Sequence, residues 1–330
     1  MIISRTPYRI SFCGGGTDFP SFFNQETGYV LSTSIDKYLY VIARRQIGLV
    51  EHKYRINYSS VEFCKDIEEI QHPIVREAFK LYGIDFPIEI TTFADIPAYT
   101  GLGSSSAFAV GLLHALSGIQ GKYRSKHELA TEAAHIEIEI LGRSIGKQDH
   151  FASAYGNFNV FRFEKNGEVV GEPVFYRREV KESLNSHLML LYTGLKRDAS
   201  EVLKSQEKNQ SSRMDNLRQM KSQVFELRQM ISDGRKLDLI GKILHEGWLQ
   251  KRELSPLTTN EQIDSWYERA LDAGAIGGKI LGAGGGGVLL LFAEPHNHAM
   301  IKKALPDLFQ VPFQFDEQGT MIQHYSQPTV

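Results

Sequence analysis

Residues 97–107 read PAYTGLGSSSA. Pro97 closes an extended run, Gly101 and Gly103 let the backbone approach an anion, and Ser104, Ser105 and Ser106 add hydroxyls. An apolar helical pattern, AFAVGLLHALSGIQ, follows directly, so the first amides of that helix point toward negative charge. The stretch from Gly101 and Leu102 through Ser106 therefore reads as a loop that cradles phosphate. No Lys-Ser or Lys-Thr pair follows the glycines, so this is not the usual P-loop, and charge neutralisation has to come from elsewhere. Taken alone, the same residues also fit a Gly-Ser turn before a helix cap.

Upstream, RTPYRISFCGGGTDFP (residues 5–20) puts Arg5 and Arg9 on one face of a strand before Gly14, Gly15 and Gly16 turn the chain into Thr17 and Asp18. A carboxylate beside a hydroxyl after a tight turn suits the vicinal diols of a sugar, and an arginine can hold a phosphate bidentately. Asp18 fits an Asx turn or helix cap equally well, and Arg5 a surface position.

Downstream, IEIEILGRSIGKQDHFASAYGN (residues 136–157) carries Glu137, Glu139 and, after a break at Gly146, Asp149. Residues two apart on a helix point in different directions, so Glu137 and Glu139 cannot both face one ligand, which leaves room for one of them to converge with Asp149. Phosphoryl transfer needs a divalent metal and a group that orients or deprotonates the attacking hydroxyl. Magnesium takes few protein oxygens, so a serine hydroxyl and one glutamate suffice; both glutamates also fit solvated helix faces. A third segment, GGKILGAGGGGVLLLF (residues 277–292), is so rich in glycine that its backbone must pack closely against something, and Gly284 and Gly285 suggest a second phosphate-flanking loop. His135, His150 and His245 match no zinc spacing and are given no catalytic role.

A chain of 330 residues with 42% hydrophobic content can fill two domains. Lys plus Arg (37) nearly balance Asp plus Glu (39), and a net charge of −2 offers no field for nucleic acid or an anionic membrane. Two cysteines, Cys13 and Cys64, argue against a disulfide framework, so a cytoplasmic location is expected. Strands are expected at 2–12, within 28–45, at 54–58 and 86–93, helices near 73–82, from 106 and over 126–141, and a hairpin turning at Asn166-Gly167. Around residue 185 LNSHLMLLYTG suggests a strand opening a second unit. Residues 199–250 follow as helices with breaks near 209–213 and 232–236, then a helix at 261–273 and a final helix and strand at 296–305 and 311–315. The expected division is 1–184 and 185–330, with an α+β second half.

In this order the motifs resemble those of the GHMP kinases, the superfamily of galactokinase, homoserine kinase, mevalonate kinase and phosphomevalonate kinase. The resemblance rests on RTPYRISFCGGGTDFP, PAYTGLGSSSA and GGKILGAGGGG and spans essentially the whole chain. It implies an N-terminal α/β domain with a left-handed βαβ unit, a ferredoxin-like C-terminal domain and an active site between them. It puts ATP phosphates on Gly101, Leu102, Gly103, Ser104, Ser105 and Ser106, with Gly284 and Gly285 alongside. Magnesium falls on Ser104 or Ser105 and on Glu137, with Glu139 open as the alternative, and Asp149 becomes the catalytic aspartate. Where mevalonate kinases carry a lysine in the first motif this chain has Arg9, which would stabilise charge rather than accept a proton.

GGGTDFP, IGKQDHFASAYGNFN and HEGWLQKRELSPLTTNEQID look like the heptose kinase branch. That branch implies ATP-dependent phosphorylation of the anomeric hydroxyl of D-glycero-D-manno-heptose 7-phosphate. Thr17 and Asp18 would hold the sugar, and Arg9, Lys147, Lys196 and Arg197 are candidate grips for its phosphate. The alternatives are an L-fucose or galactose kinase, or a sugar and ATP sensor without turnover. A homodimer is one open arrangement.

Overall fold

The computed structural model describes residues 1–47, 49, 51–196, 199–209 and 213–326. The first part is strand-rich, as its β-branched and aromatic runs favour: β1 (Ile2–Cys13), α1 (Pro20–Phe23), β2 (Gly28–Arg45), β3 (Tyr54–Asn57), β4 (Val61–Cys64), α2 (Pro73–Tyr82) and β5 (Ile88–Ala94). There follow α3 (Ser104–Ile119), α4 (Lys126–Ala134), a π-helical turn over His135–Ile140, α5 (Gln148–Tyr155) and the hairpin β6 (Asn159–Phe163) and β7 (Val169–Pro173). The remainder comprises α6 (Arg178–His187), β8 (Leu188–Tyr192), α7 (Ala199–Asn209), α8 (Met214–Asp233), α9 (Leu239–Arg252), α10 (Glu261–Asp272), β9 (Ala275–Ile280), β10 (Val288–Ala293), α11 (His298–Ala304), β11 (Phe309–Val311), β12 (Phe315–Asp316) and β13 (Met321–Tyr325).

Two sheets organise the described residues. A nine-stranded sheet runs β13-β1-β2-β5-β3-β4, with β12 and β6 also on β2 and β7 on β6; a four-stranded sheet runs β11-β8-β10-β9. β3 and β5 pair in parallel, with β4 and α2 between them in sequence. This is the expected α+β, two-domain architecture.

The second sheet is apolar on both faces, and the strand period of two divides its side chains between two cores. Leu188, Leu190, Val288, Leu290 and Phe292 join the large core that also contains Ile10, Val30 and Leu31 of the first sheet. Met189, Leu191, Leu289 and Leu291 face the other way, onto Trp248 of α9 and Ile263, Trp266 and Tyr267 of α10. The first core thus runs from one sheet into the other and fixes the groove between them. α8 adds to this tie: Val224 and Leu227 enter the shared core, while Leu217 and Met220 pack with Phe22 of α1 and with Leu254.

The sheets divide the chain differently from the expected boundary at 184/185. Residues 315–325 return to the first sheet, β12 on β2 and β13 on β1. LNSH, read as the start of a strand, belongs to α6, whose Val180 and Leu184 supply its buried positions; the strand begins at Leu188.

Candidate active site

α3 starts at Ser104 with Gly103 as its N-cap in a left-handed conformation, φ +80°. The first-turn amides have no carbonyl within the helix to accept them. The loop is pinned from below, because the Arg9 amide donates to the Leu102 carbonyl at 3.1 Å and the Leu102 side chain is enclosed. Ser106 is also buried, whereas Ser105 is exposed at the surface of the groove.

What the second glycine segment packs against is the first. A Cβ on Gly101 would lie 2.5 Å from the Leu281 carbonyl oxygen, and one on Gly282 would lie 2.6 Å from the Gly101 Cα. Backbone rests on backbone there, and only glycine permits it. Gly284 and Gly285, expected beside a nucleotide phosphate, turn away from this contact. The Gly285 amide donates to the Thr258 carbonyl at 2.7 Å, and a Cβ on Gly284 would meet that same carbonyl. These contacts seat the loop on the segment after α9.

Arg9 of β1 reaches under the first loop and holds Asp149 of α5 in a two-pronged pair, Nε to Oδ1 at 2.7 Å and Nη2 to Oδ2 at 2.6 Å. Its remaining nitrogen, Nη1, donates to the Gly101 carbonyl at 2.7 Å. The Arg9 side chain is 3% exposed and that of Asp149 24%, so the carboxylate, not the guanidinium, looks into the groove.

Across from this pair, Glu137 lies wholly buried in the π-helical turn. It accepts from Ser105 Oγ at 2.5 Å and from Arg143 Nη1, and His150 Nε2 lies 2.9 Å from its other oxygen. Burial alone would raise the Glu137 pKa, but the hydrogen bond and charge of His150, with Ser105 and Arg143, hold it below the usual carboxylate range. Of the paired alternatives, Ser105 and Glu137 are the ones that meet. Glu139 instead faces solvent and bonds His135 at 2.8 Å, which removes it as a partner of the loop.

Thr17, Asp18 and Lys147, expected on the substrate, make contacts within the protein. The Thr17 hydroxyl is spent within its own turn, donating toward the Gly14 and Tyr29 carbonyls and accepting from the Tyr29 amide, and the residue has no exposure, so it does not face a ligand. Asp18 is turned inward too, accepting from the amides of Gly16 (2.9 Å) and Gln148 (3.2 Å). Burial, and then the charge of Asp149, raise its pKa. Lys147 donates to the Gly167 carbonyl at 2.8 Å, over the Phe23 ring, and so braces the β6–β7 turn. Lys196 is exposed on the loop after β8, and Arg197 lies outside the described residues.

Sequence reasoning missed Arg143 and His150, and it missed two lysines. Lys251, at the end of α9, is 8% exposed and Lys279, on β9, 5%. Nζ of Lys251 donates to the Gly282 carbonyl, and Nζ of Lys279 to the Phe12 carbonyl at 3.0 Å. Burial, then Lys279 and Arg9, push the Lys251 pKa well down; burial, with Arg9, pushes that of Lys279 down to about 8.

Two family models match the chain: GHMP kinases N terminal domain over residues 70–157, and GHMP kinases C terminal over residues 226–309. The chain belongs to the GHMP kinase family. The D-glycero-alpha-D-manno-heptose 7-phosphate kinase of Campylobacter jejuni is 27% identical over 92% of this chain and 93% of its own length. The bifunctional fucokinase/GDP-fucose pyrophosphorylase of Arabidopsis thaliana is also 27% identical, over 87% of this chain but 29% of its own length. A crystal structure of a D-glycero-D-manno-heptose 1-phosphate kinase from Bacteroides thetaiotaomicron superposes with a TM-score of 0.81, at 24% identity, over 99% of this chain and 100% of that one, and so shares the fold.

As a GHMP kinase the protein is a phosphotransferase acting on an alcohol acceptor. Its loop region brings together a helix N-terminus, a partly exposed carboxylate fixed by an arginine, and a buried carboxylate facing a serine. No described helix of this GHMP kinase is long and apolar enough to cross a membrane.

Proposed function

We propose that this GHMP kinase uses ATP and Mg²⁺ to phosphorylate the anomeric hydroxyl of D-glycero-D-manno-heptose 7-phosphate. The observation that carries the catalytic part is the Arg9–Asp149 pair, placed directly beneath the phosphate loop: Asp149 Oδ2 would lie 3.4 Å from a Cβ on Gly103. Phosphoryl transfer through a loose transition state needs an acceptor aligned in line more than one ionised in advance. Arg9 locks both Asp149 oxygens, which orients the carboxylate to accept the hydroxyl proton as transfer proceeds. The amides of Ser104 to Ser106 hold the nucleotide phosphates, and Asp18, through Gln148, fixes the turn that carries Asp149.

A hydroxyl and a single carboxylate suit Mg²⁺, which keeps most of its waters, so Ser105 and Glu137 would hold it once Arg143 gives way. Bound there, the metal would neutralise charge on the phosphate oxygens. The heptose acceptor is supported by the near full-length likeness to the Campylobacter kinase and by the buried cations around the groove. The competing reading is a free-sugar kinase acting on fucose or galactose, favoured by the equal identity to the Arabidopsis protein.

An ATP-consumption assay with magnesium across heptose 7-phosphate, heptose, fucose and galactose, with the product read by NMR, tests the proposal. New phosphate at the anomeric carbon of heptose 7-phosphate is expected. Preference for an unphosphorylated sugar would replace the acceptor, and ATP binding without turnover on any sugar would turn the reading into a sensor.

A further inference from the structure

We propose that the ammonium of Lys251 grips a phosphate group of the bound reactants where the two glycine loops meet. The proposal deepens the reading above and rests on it for the identity of the acceptor.

Lys251 stands in the last turn of α9, where a lysine ordinarily trails into water, yet it is 8% exposed. An ammonium has three donors, and among the described residues the hydrogen bond of this one is to the uncharged Gly282 carbonyl. Gly282 rests on Gly101, whose carbonyl in turn accepts from Arg9 Nη1 at 2.7 Å, and Arg9 continues to Asp149. Lys251 and Arg9 therefore reach neighbouring carbonyls of the two touching loops, one from α9 and one from β1, with the catalytic carboxylate just beyond.

The local charges do not balance. Arg9 and Asp149 pair directly; the Asp18 carboxylate accepts from two backbone amides, which do not cancel its charge, and it acts on Lys251 only through space, as Asp149 does. That leaves Lys251 and Lys279, both buried, each hydrogen-bonded to a backbone carbonyl and with no carboxylate in direct contact among the described residues. Burial disfavours the charged form of such an amine in the free protein, and a phosphate dianion restores it by supplying opposite charge and several acceptor oxygens. Lys251 is the better placed of the two, because it lies on the loop contact itself.

The dianion has two sources, the acceptor's own phosphate or the terminal phosphate of the nucleotide. Calorimetric titration of wild type, Lys251→Met and Lys251→Arg, each full-length and checked by thermal unfolding, separates them. Heptose 7-phosphate, heptose, AMPPNP and ADP serve as probes, the nucleotides with Mg²⁺. If Lys251 holds the acceptor phosphate, Lys251→Met weakens heptose 7-phosphate by about thirtyfold or more and leaves heptose nearly unchanged. If it holds the terminal nucleotide phosphate, the loss falls on AMPPNP and spares ADP. In either case Lys251→Arg recovers most of the affinity. Losses equal for a probe with and without its phosphate, or no loss at all, overturn the proposal and leave Lys251 as a brace for Gly282. Should wild type bind neither sugar, the heptose reading fails by itself, and the AMPPNP arm together with inorganic phosphate as probe still decides Lys251. If Lys251→Met does not fold, Lys251→Gln, which keeps a donor for Gly282 without the charge, takes its place.

Discussion

Nε2 of His150 lies 2.9 Å from Oε2 of Glu137, and both side chains are wholly buried. A carboxylate enclosed to this degree would bind a proton readily; the ring, Ser105 and Arg143 keep it ionised. Because its folded pKa is depressed, Glu137 contributes stability that is fully present above the unfolded glutamate pKa of about 4.3 and is lost as pH falls through the lower folded value. Replacing His150 by phenylalanine removes the principal partner and is expected to cost about 3 kcal/mol near neutral pH. The gap from wild type should narrow on acidification, as Glu137 takes up a proton in the variant. Thermal unfolding of both proteins from pH 3 to 7 checks this, and a gap independent of pH would assign His150 to packing alone.

Asp149→Asn keeps the shape of the Arg9 pair but loses the proton acceptor. Turnover should fall by about 10²-fold or more while ADP affinity stays close to wild type. Arg9→Lys keeps the charge but not the fork that fixes both Asp149 oxygens, and should lower kcat by about tenfold. Steady-state kinetics beside nucleotide titration reads both variants; an unchanged kcat in Asp149→Asn would remove the carboxylate from the mechanism.

Gly282→Ala would place a methyl group 2.6 Å from the Gly101 Cα at a residue whose φ is +68°. The two loops have to part, at a cost of about 2 kcal/mol or more, and nucleotide affinity should fall with stability. Gly83→Ala is the control. Gly83 also has a positive φ, +59°, but nothing stands near its Cβ, so its loss in unfolding temperature should be smaller.

Lys279 is depressed to about 8 by burial, with Arg9 adding to it. Between that value and the ordinary lysine pKa of about 10.4, the unfolded chain holds a proton that the folded one has released, so this group makes stability rise with pH across the window. Lys279→Met should flatten the rise measured by urea unfolding at pH 7.5 to 10, and an unchanged slope would contradict the assignment.

The parts of the site that were legible in the sequence are those whose chemistry depends on neighbours a few positions away. The phosphate loop is a strand end, a glycine turn and a helix start in succession, and Asn166-Gly167 turns the β6–β7 hairpin as its residue types require. Thr17 misled because a hydroxyl after three glycines looks equally available to a sugar and to the turn itself; the closing strand β2, through Tyr29, claims it. Lys251 was invisible for a different reason. LQKRE at a helix end has the pattern of a solvated terminus, and only the arrival of the second glycine loop, with Gly282, encloses it. His150 matched no metal spacing because its partner is a single carboxylate buried beside it.

The pairing of β13 with β1 has a consequence for how the molecule is made. Met1 and Ser326, hydrogen-bonded to each other, lie 325 positions apart, and the outer edge of β1 has no strand to meet until residues 321–325 exist. At the usual pace of synthesis that is a wait on the order of tens of seconds. Throughout it, Ile2 to Arg5 present open main-chain groups of the kind that recruit other nascent chains. Arg9 of the candidate site lies further along the same strand, beyond the segment that waits for β13.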